Sequence, residues 1–313
     1  MNHAVTAEWL SKSFGKVEAL RSIGFSVNEG ELFGIIGADG AGKSTLFRIF
    51  ATLLIPDAGR AEVLGLDTVS SFRRIRTRIG YMPGRFSLYQ DLSVEENLDF
   101  FATVYGTSVE ANYDLIRDIY VQLEPFKSRR AGQLSGGMKQ KLALCCALVH
   151  HPELLLLDEP TTGVDAVSRQ EFWQMLGRLR QEGITILVST PYMDEASLCD
   201  RIAFLQEGRI LALDTPEGIT GLFTGALFAV RAEDQRRIAP LLRSYPHAAS
   251  VYAFGSSVHY TDDRPSPDQA EIAAWLDSKG IAGARVERIA PGIEDTFMAL
   301  MESSAQVRKR ADG

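Results

Sequence analysis

The chain has 313 residues, 45% of them hydrophobic, and a formal net charge of −7. The length suggests about two domains of ~150 residues each, and the acidic balance gives no basic footprint for nucleic acid. Three cysteines without metal-ligand spacing indicate neither a disulfide framework nor a zinc site, so we expect reduced thiols in a cytosolic protein. The start, MNHAVTAEWLSK, lacks the apolar segment of a signal peptide, and no apolar run reaches the ~18 residues that span a bilayer.

The first 31 residues alternate apolar and polar side chains, which predicts strands of a half-buried sheet. Phe14 follows at a turn in SKSFGK. An exposed aromatic ring there could stack on an adenine ring, and a small satellite core residue is an equally good interpretation of Phe14 alone.

The next stretch, GIIGADGAGKSTL over residues 34–46, contains the pattern G-x-x-x-x-G-K-S. An apolar run precedes it and helical spacing follows it, which is the strand–loop–helix context of a phosphate-binding loop. Backbone N–H groups and the helix N-terminus would bind phosphate oxygens. Lys43 would reach the β- and γ-phosphates of ATP, and the Ser44 hydroxyl would bind Mg²⁺. The predicted nucleotide-binding residues here are Gly37, Ala38, Asp39, Gly40, Ala41, Gly42, Lys43, Ser44 and Thr45.

A helical subdomain over about 85–150 is predicted between two α/β pieces. Ser93 and Glu96 have the spacing of a capping box that opens a helix to about Val104. A later helix begins in a Ser-Gly-Gly sequence, which is either an anion site made of N–H groups and a hydroxyl or an ordinary cap. The residues concerned are Leu134, Ser135, Gly136, Gly137 and Met138.

Four leucines at 154–157 predict a buried parallel strand, and Asp158 and Glu159 follow at its carboxyl end. Ligands bind at that edge of an open α/β sheet. We expect Asp158 to hold Mg²⁺ through water and Glu159 to act as general base on the attacking water. A strand ending in solvated acids is the simpler interpretation, and the phosphate-binding loop disfavours it. A further buried strand, 184–189, should deliver Pro191 to the same edge.

The C-terminal part differs in character. Residues 223–302 predict the order β-α-β-β-α-β, which is ferredoxin-like and indicates a small α+β domain after a first domain over 1–222. The polar tail, 303–313, is predicted to be disordered.

These elements together resemble the ATP-binding subunits of ABC transporters over residues 3 to about 222. The phosphate-binding loop resembles the Walker A motif, 134–140 the signature motif, 154–159 the Walker B motif with its catalytic glutamate, and 162–165 the D-loop with Asp165. Phe14 matches the A-loop aromatic. Residues 291–297 resemble the ending of drug and polysaccharide exporter ATPases. The resemblance implies a P-loop NTPase of the ABC type, α/β in class, with the inserted helical subdomain and the small C-terminal domain.

It also implies a mechanism with ATP and Mg²⁺ as cofactors and Lys43 and Glu159 as catalytic residues. Two such domains would enclose two ATP molecules, each between the Walker A motif of one chain and the signature of the other. Closure and hydrolysis would drive membrane-spanning permease subunits, which would hold the chain peripherally at the inner face of the cell membrane. The resemblance of residues 291–297 to exporter ATPases implies efflux. A soluble ABC ATPase acting on DNA or ribosomes is disfavoured, because the chain has neither a heptad run nor a second such domain. A regulatory, non-hydrolytic ATP-gated switch is the alternative.

Two positions depart from the family pattern. Gly84 stands where the Q-loop glutamine is expected, and Pro191 stands where the switch histidine is expected. Proline offers no donor to the γ-phosphate, and losing a positioned acid–base group costs ~10²–10⁴ in rate. Three explanations stay open: a heterodimer in which this chain's signature completes the partner's competent site, a homodimer in which Glu159 suffices, and the non-hydrolytic switch. We favour the heterodimer, because the signature is intact.

Overall fold

The computed structural model describes residues 2–84 and 88–311. Within it the chain divides into two compact units, the first ending at Pro216 and the second beginning at Glu217. The sequence put this boundary at about residue 222. Residues 85–87, with which the predicted helical subdomain begins, lie outside the described part of the chain.

The first unit alternates strands and helices. Its strands are β1 (His3–Phe14), β2 (Val17–Asn28), β3 (Leu32–Ile36), β4 (Ala58–Val63), β5 (Leu66–Asp67), β6 (Ile79–Met82), β7 (Leu154–Asp158), β8 (Thr185–Thr190), β9 (Arg201–Gln206) and β10 (Arg209–Asp214). Its helices are α1 (Lys43–Phe50), α2 (Phe72–Arg76), α3 (Val94–Val104), α4 (Tyr113–Tyr120), α5 (Gly136–Leu148), α6 (Ala166–Gln181) and α7 (Met193–Ala196), and α8 (Pro216–Thr220) crosses the boundary.

The first unit contains a six-stranded sheet in the order β10-β9-β3-β8-β7-β6. All its neighbouring strands are parallel except the β9–β10 pair. β3, β7 and β8 are buried along their whole length, as their apolar runs predict for strands covered on both faces. The register sets Ile36 opposite Thr190 and Asp158 opposite Ser189. The carboxyl ends of these three strands therefore meet at one edge.

A second sheet, antiparallel and ordered β2-β1-β4-β5, joins the first in a common core with α1. The ring of Phe25 on β2 lies 5.5 Å from that of Phe33 on β3 and 5.9 Å from that of Phe50 on α1, measured between centroids. Burying an aromatic side chain of this size stabilises a fold by about 1.5–3 kcal/mol. The loop between β3 and α1 is therefore fixed at both ends by packed elements.

The inserted helical subdomain is present, with α3 and α4 both packed on α5. The predicted capping box opens α3: the Ser93 hydroxyl accepts a hydrogen bond from the Glu96 N–H at 3.1 Å, and the Glu96 carboxylate accepts one from the Ser93 N–H at 2.7 Å. One turn on, the fully buried Asn97 donates to the carbonyls of Tyr89 at 3.0 Å and Ser93 at 2.8 Å. These bonds tie the start of α3 to the segment before it.

The second unit has its own sheet and core. Its elements are β11 (Ala226–Arg231), α9 (Gln235–Leu242), β12 (Ala248–Phe254), β13 (Ser257–Asp262), α10 (Gln269–Ser278), β14 (Arg285–Arg288) and α11 (Ile293–Ala311). The strands form an antiparallel sheet in the order β12-β13-β11-β14, with Phe228, Tyr260 and Leu276 buried in its core. The elements follow one another as the sequence predicts, and their assignment as a ferredoxin-like domain remains our interpretation.

The final helix corrects one prediction. α11 runs to Ala311, whereas the sequence predicted a helix ending at 302 and a disordered tail over 303–313. The tail is rich in alanine, glutamine, lysine and arginine, which are good helix formers, and extending an existing helix costs far less than starting one. Residues 312 and 313 lie outside the described part. None of the described helices, α11 included, is long and apolar enough to cross a membrane.

Candidate active site

The phosphate-binding loop spans residues 37–42 between β3 and α1. A Cβ atom on Gly37 would lie 2.2 Å from the carbonyl oxygen of Leu205, and one on Gly42 would lie 2.5 Å from that of Ala19. Gly42 also has a φ of 111° where it caps α1, a backbone conformation that other residues rarely adopt. Only glycine fits these two positions, while Ala38, Asp39 and Gly40 between them are exposed.

Lys43, the first residue of α1, is buried, and its ammonium group makes three contacts. It donates to the carbonyl oxygens of Gly37 at 2.7 Å and Ala38 at 2.9 Å, and it lies 2.9 Å from Oε1 of Glu159. An ammonium has three donors. All of them are therefore engaged by the loop and by the proposed base, which brings the two predicted catalytic residues together.

Asp158 ends β7 and is 2% exposed. Its Oδ1 atom accepts a hydrogen bond from the Ser189 hydroxyl at 2.8 Å, and the Ser44 hydroxyl bonds to the same carboxylate. Burial raises the pKa of Asp158, and the bonds from Ser189 and Ser44 counter part of that effect. The predicted metal ligands are thus neighbours, and they supply the oxygen donors that Mg²⁺ prefers.

No group of three or more His, Cys, Asp or Glu side chains gathers as a metal site in the described part of the chain. A Mg²⁺ ion at Ser44 and Asp158 would therefore need phosphate oxygens and water to complete its six ligands. That is how Mg²⁺ is commonly held in nucleotide sites. The two residues fit a Mg²⁺ that arrives with a nucleotide.

Glu159 leaves the strand in an unusual conformation. Its φ is 51°, in the left-handed region that a non-glycine residue occupies at a cost of about 1–3 kcal/mol. Its N–H donates to the hydroxyl of Ser189 at 2.9 Å and to the carbonyl of the same residue at 3.2 Å. This turn separates its carboxylate from the buried strand and directs it to Lys43.

An open cleft of about 400 Å³ lies over these residues. Lys43, Ser44, Thr45 and Glu159 line one part of it, and the segment after Phe14, including Val17 and Ala19, lines another. Phe14 itself is 50% exposed at the end of β1 and is not among the lining residues. Stacking of its ring on adenine stays a prediction.

Both departures from the family pattern lie at the same sheet edge. A Cβ atom on Gly84 would lie 3.1 Å from the carbonyl oxygen of Asp158 and 3.5 Å from Oδ2 of the same residue. Pro191 directly follows Thr190, the last residue of β8. A side chain at residue 84 would therefore start beside the Asp158 carboxylate, and residue 191 leaves the strand that neighbours β7.

The signature and D-loop residues form a separate group. Ser135 caps α5 by accepting the N–H of Met138 at 3.3 Å, and Asp165 caps α6 by accepting the N–H of Ser168 at 3.0 Å. A Cβ atom on Gly137 would lie 2.5 Å from the Ser168 hydroxyl, so the two helix starts are in close contact. Leu134 is buried, whereas Ser135 and the adjacent Gly136 are exposed.

Two features of the site were not predicted from the sequence. Ser189 was expected at this sheet edge without a role, although its hydroxyl links Asp158 to the N–H of Glu159. Its position at the end of a neighbouring buried strand was the available signal. The second is Glu195, a buried carboxylate on α7 that bonds to Thr161 and Thr190. Nothing in the local pattern marks that glutamate.

Known proteins resemble the chain in sequence. The domain family described as ABC transporter matches residues 20–162. The chain is 37% identical over 309 residues to the probable multidrug ABC transporter ATP-binding protein YbhF of Escherichia coli K12, covering 96% of this chain and 53% of that protein. It is 35% identical over 302 residues to the Nod factor export ATP-binding protein I of Rhizobium sp. strain N33, covering 95% of this chain and 96% of that protein. The chain thus spans about half of YbhF and nearly all of the second relative.

A solved structure resembles it as well. The dimeric structure of a post-hydrolysis state of the ATP-binding cassette MJ0796, bound to ADP and Pi, matches with a TM-score of 0.61 and 27% identity. The match covers 67% of this chain and 98% of that chain. It agrees with the α/β fold observed here.

Proposed function

Because the chain belongs to the ABC transporter ATP-binding family, we propose that it binds MgATP and hydrolyses it to energise export through membrane-spanning permease subunits. The observation that carries the proposal is the pairing of Lys43 with Glu159 at an open cleft beside the phosphate-binding loop, with Asp158 buried behind Ser44, to which it is hydrogen-bonded. Multidrug and Nod factor export in the names of its relatives support export as the direction.

The phosphate-binding loop and four side chains beside it each have a part in the proposed reaction. The backbone N–H groups of the exposed loop residues and the N-terminus of α1 bind phosphate oxygens, and Lys43 exchanges its contacts with Glu159 and one loop carbonyl for the β- and γ-phosphates. Ser44 and Asp158 would hold Mg²⁺, and the ion would supply positive charge to neutralise the phosphates. Glu159 orients the attacking water and accepts its proton.

A second nucleotide-binding domain completes the site. We propose that the signature, Leu134–Met138, contacts ATP bound to the other chain, since Ser135 and Gly136 are exposed at the N-terminus of α5. The dimeric structure of the ATP-binding cassette MJ0796 supports such an arrangement. We favour a heterodimer, because Gly84 and Pro191 weaken this chain's own site while the signature is intact.

The permease subunits dock, in this proposal, on the helical subdomain. Tyr89, Phe100 and Val104 are exposed there, and the rings of Tyr89 and Phe100 lie 4.7 Å apart in an edge-to-face contact. Exposed apolar residues that cluster mark interaction sites more often than scattered ones do. Docking would hold the chain at the inner face of the cell membrane.

Steady-state ATP hydrolysis by the purified chain tests the proposal. We expect slow turnover that needs Mg²⁺ and is abolished in Glu159→Gln. MgATP binding without any turnover, in the chain alone and with its permease and partner domain, would favour the alternative of an ATP-gated switch. Absence of ATP binding would contradict both the proposed ATPase and the ATP-gated switch.

The heterodimer has its own test. When the chain is mixed with a cognate partner domain, Ser135→Ala should lower turnover at the partner's site by at least about tenfold, since it removes a donor to the partner's ATP. Full hydrolysis by a dimer of this chain alone, unchanged when the partner is added, would favour the homodimer.

A further inference from the structure

A buried carboxylate lies behind the proposed reaction site, on the short helix α7. Glu195 is 2% exposed. Its Oε1 atom lies 3.0 Å from Nε of Arg169, and its Oε2 atom accepts hydrogen bonds from the hydroxyls of Thr161, at 3.1 Å, and Thr190. A buried charge without such partners costs several kcal/mol. These four side chains therefore form one mutually satisfied cluster, which we call the Glu195 cluster.

Three separate elements of the site supply the partners in this cluster. Thr190 ends β8 and directly precedes Pro191. Thr161 lies two residues after Glu159, in the segment that leads to the D-loop. Arg169 lies near the start of α6, which the D-loop opens. One carboxylate thus connects the end of β8, the segment that follows Glu159 and the start of α6.

The position of Pro191 depends on this cluster. Proline has no backbone N–H, so residue 191 cannot bond to its surroundings through one. On its other side, the N–H of Tyr192 donates to the Thr190 hydroxyl at 3.0 Å, and the Arg169 guanidinium lies 4.0 Å from the Tyr192 ring centroid. Both neighbours of Pro191 are therefore connected to Glu195: Thr190 bonds to it directly, and Tyr192 contacts two of its partners, Thr190 and Arg169.

The position of Glu159 depends on the same strand end. The residue before Thr190 is Ser189, whose hydroxyl and carbonyl both accept the N–H of Glu159. Thr161 holds the chain on the other side of Glu159. A displacement of Thr190 or Thr161 would therefore also move Glu159, because each threonine is connected to it through only one or two residues.

We infer that Glu195 is a positioning residue for ATP hydrolysis: it holds the end of β8 and the segment after Glu159 in a fixed relation. The inference rests on the proposed ATPase function. Glu195 acts through Glu159 and the backbone at Pro191, not on ATP itself. Its loss should lower turnover more than ATP affinity, because Lys43 and the loop glycines keep their own contacts.

Paired substitutions test this role. Glu195→Gln and Thr190→Val should each lower kcat by at least about tenfold, since small misplacements of reacting groups carry large rate costs, with KM for ATP within about twofold. Thr190→Ser, which keeps the hydroxyl, should restore most of the lost turnover. The matched control is Asp194→Asn, which changes only the exposed partner of Arg169 and should leave kcat unchanged.

Hydrogen exchange gives a readout that does not depend on hydrolysis. In Glu195→Gln, the amides of Glu159 and Tyr192 should exchange at least about tenfold faster than in the wild type and in Asp194→Asn. A folded Glu195→Gln with unchanged exchange overturns the inference, as does a lowered Tm with kcat preserved. If even the wild type hydrolyses no ATP, the proposed function fails, and the exchange rates alone decide the positioning role.

Discussion

The ammonium of Lys43 lies 2.9 Å from Oε1 of Glu159, so the phosphate-binding cation and the proposed general base are paired with each other. The Lys43 side chain is 2% exposed and that of Glu159 is 21% exposed. Phosphate oxygens that bind Lys43 must replace some of its three contacts, and we expect the Glu159 carboxylate to be one of those replaced, because phosphate repels it. ATP binding and the release of Glu159 are then linked.

Glu159→Gln should bind MgATP more tightly than the wild type while losing hydrolysis. The substitution removes a negative charge that competes for Lys43 and repels the phosphates. We expect Kd to fall by about three- to tenfold and turnover by at least ~10². Equilibrium titration with a fluorescent ATP analogue measures Kd, and Glu182→Gln at the exposed end of α6 is the control. Weaker binding in Glu159→Gln would contradict the linkage.

Gly84→Gln should raise turnover. The Cβ atom that it adds would lie 3.1 Å from the carbonyl oxygen of Asp158, a contact relieved by a shift of a few tenths of an ångström, and 3.5 Å from Oδ2 of the same residue, so the amide starts beside the predicted metal ligand. We expect an increase of about tenfold in kcat over the wild type. Gly84→Ala adds the Cβ without the amide and serves as the control. An equal response of both variants would mean that the backbone, and not the amide, causes the change.

Gly137→Ala should lower the rate of hydrolysis without changing the affinity of the single chain for ATP. The added methyl group would lie 2.5 Å from the Ser168 hydroxyl, so the signature must move away from the start of α6. Turnover that needs two domains should fall by at least about tenfold, while ATP affinity of the single chain stays within about twofold.

Gly177→Ala is its matched control, because it makes the same change within α6 where the new Cβ meets nothing within 4 Å. We expect it to leave turnover unchanged and to stabilise the helix slightly. If the two alanine variants hydrolyse ATP equally well, close packing of Gly137 on Ser168 has no part in the reaction.

Asp158→Asn should stabilise the fold in the absence of Mg²⁺ and nucleotide. Burial raises the pKa of Asp158 above the model-compound value of 3.8, so the folded state binds this proton more tightly than the unfolded state. Stability from this group is therefore lost as pH rises through the folded-state pKa. The rise in Tm should therefore be larger at pH 7 than at pH 4. Each kcal/mol of added free energy of unfolding corresponds to a rise of about 2–4 °C.

Asp165→Asn should change Tm in the opposite direction. The backbone hydrogen bond from Ser168 lowers the pKa of Asp165, so its carboxylate stabilises the fold above pH 3.8 and that contribution disappears as pH falls. Asparagine still caps the helix, so we expect a small loss of Tm at pH 7 only. Thermal unfolding of both variants across pH checks the pair. Changes in Tm of the same sign at pH 7 would contradict the causes assigned to the two pKa shifts.

Sequence patterns predicted the parts of the site that lie within one stretch of chain. The glycine spacing around Lys43 located the phosphate-binding loop, and the apolar run before Asp158 located the strand edge. The bond of Ser189 to Asp158 and the cluster around Glu195 were not predicted, because they join residues that are 31 and up to 34 positions apart and depend on tertiary packing. Local composition also failed for the tail, where α11 continues from a helix that had already formed.

The most direct test is the steady-state ATPase rate of the purified chain beside Pro191→His and Pro191→His/Glu159→Gln. We expect slow wild-type turnover, an increase of at least about tenfold in Pro191→His, which introduces a side chain that can donate to the γ-phosphate, and complete loss when Glu159 is also replaced. Turnover that neither substitution changes would contradict it, since hydrolysis would then not take place at this site.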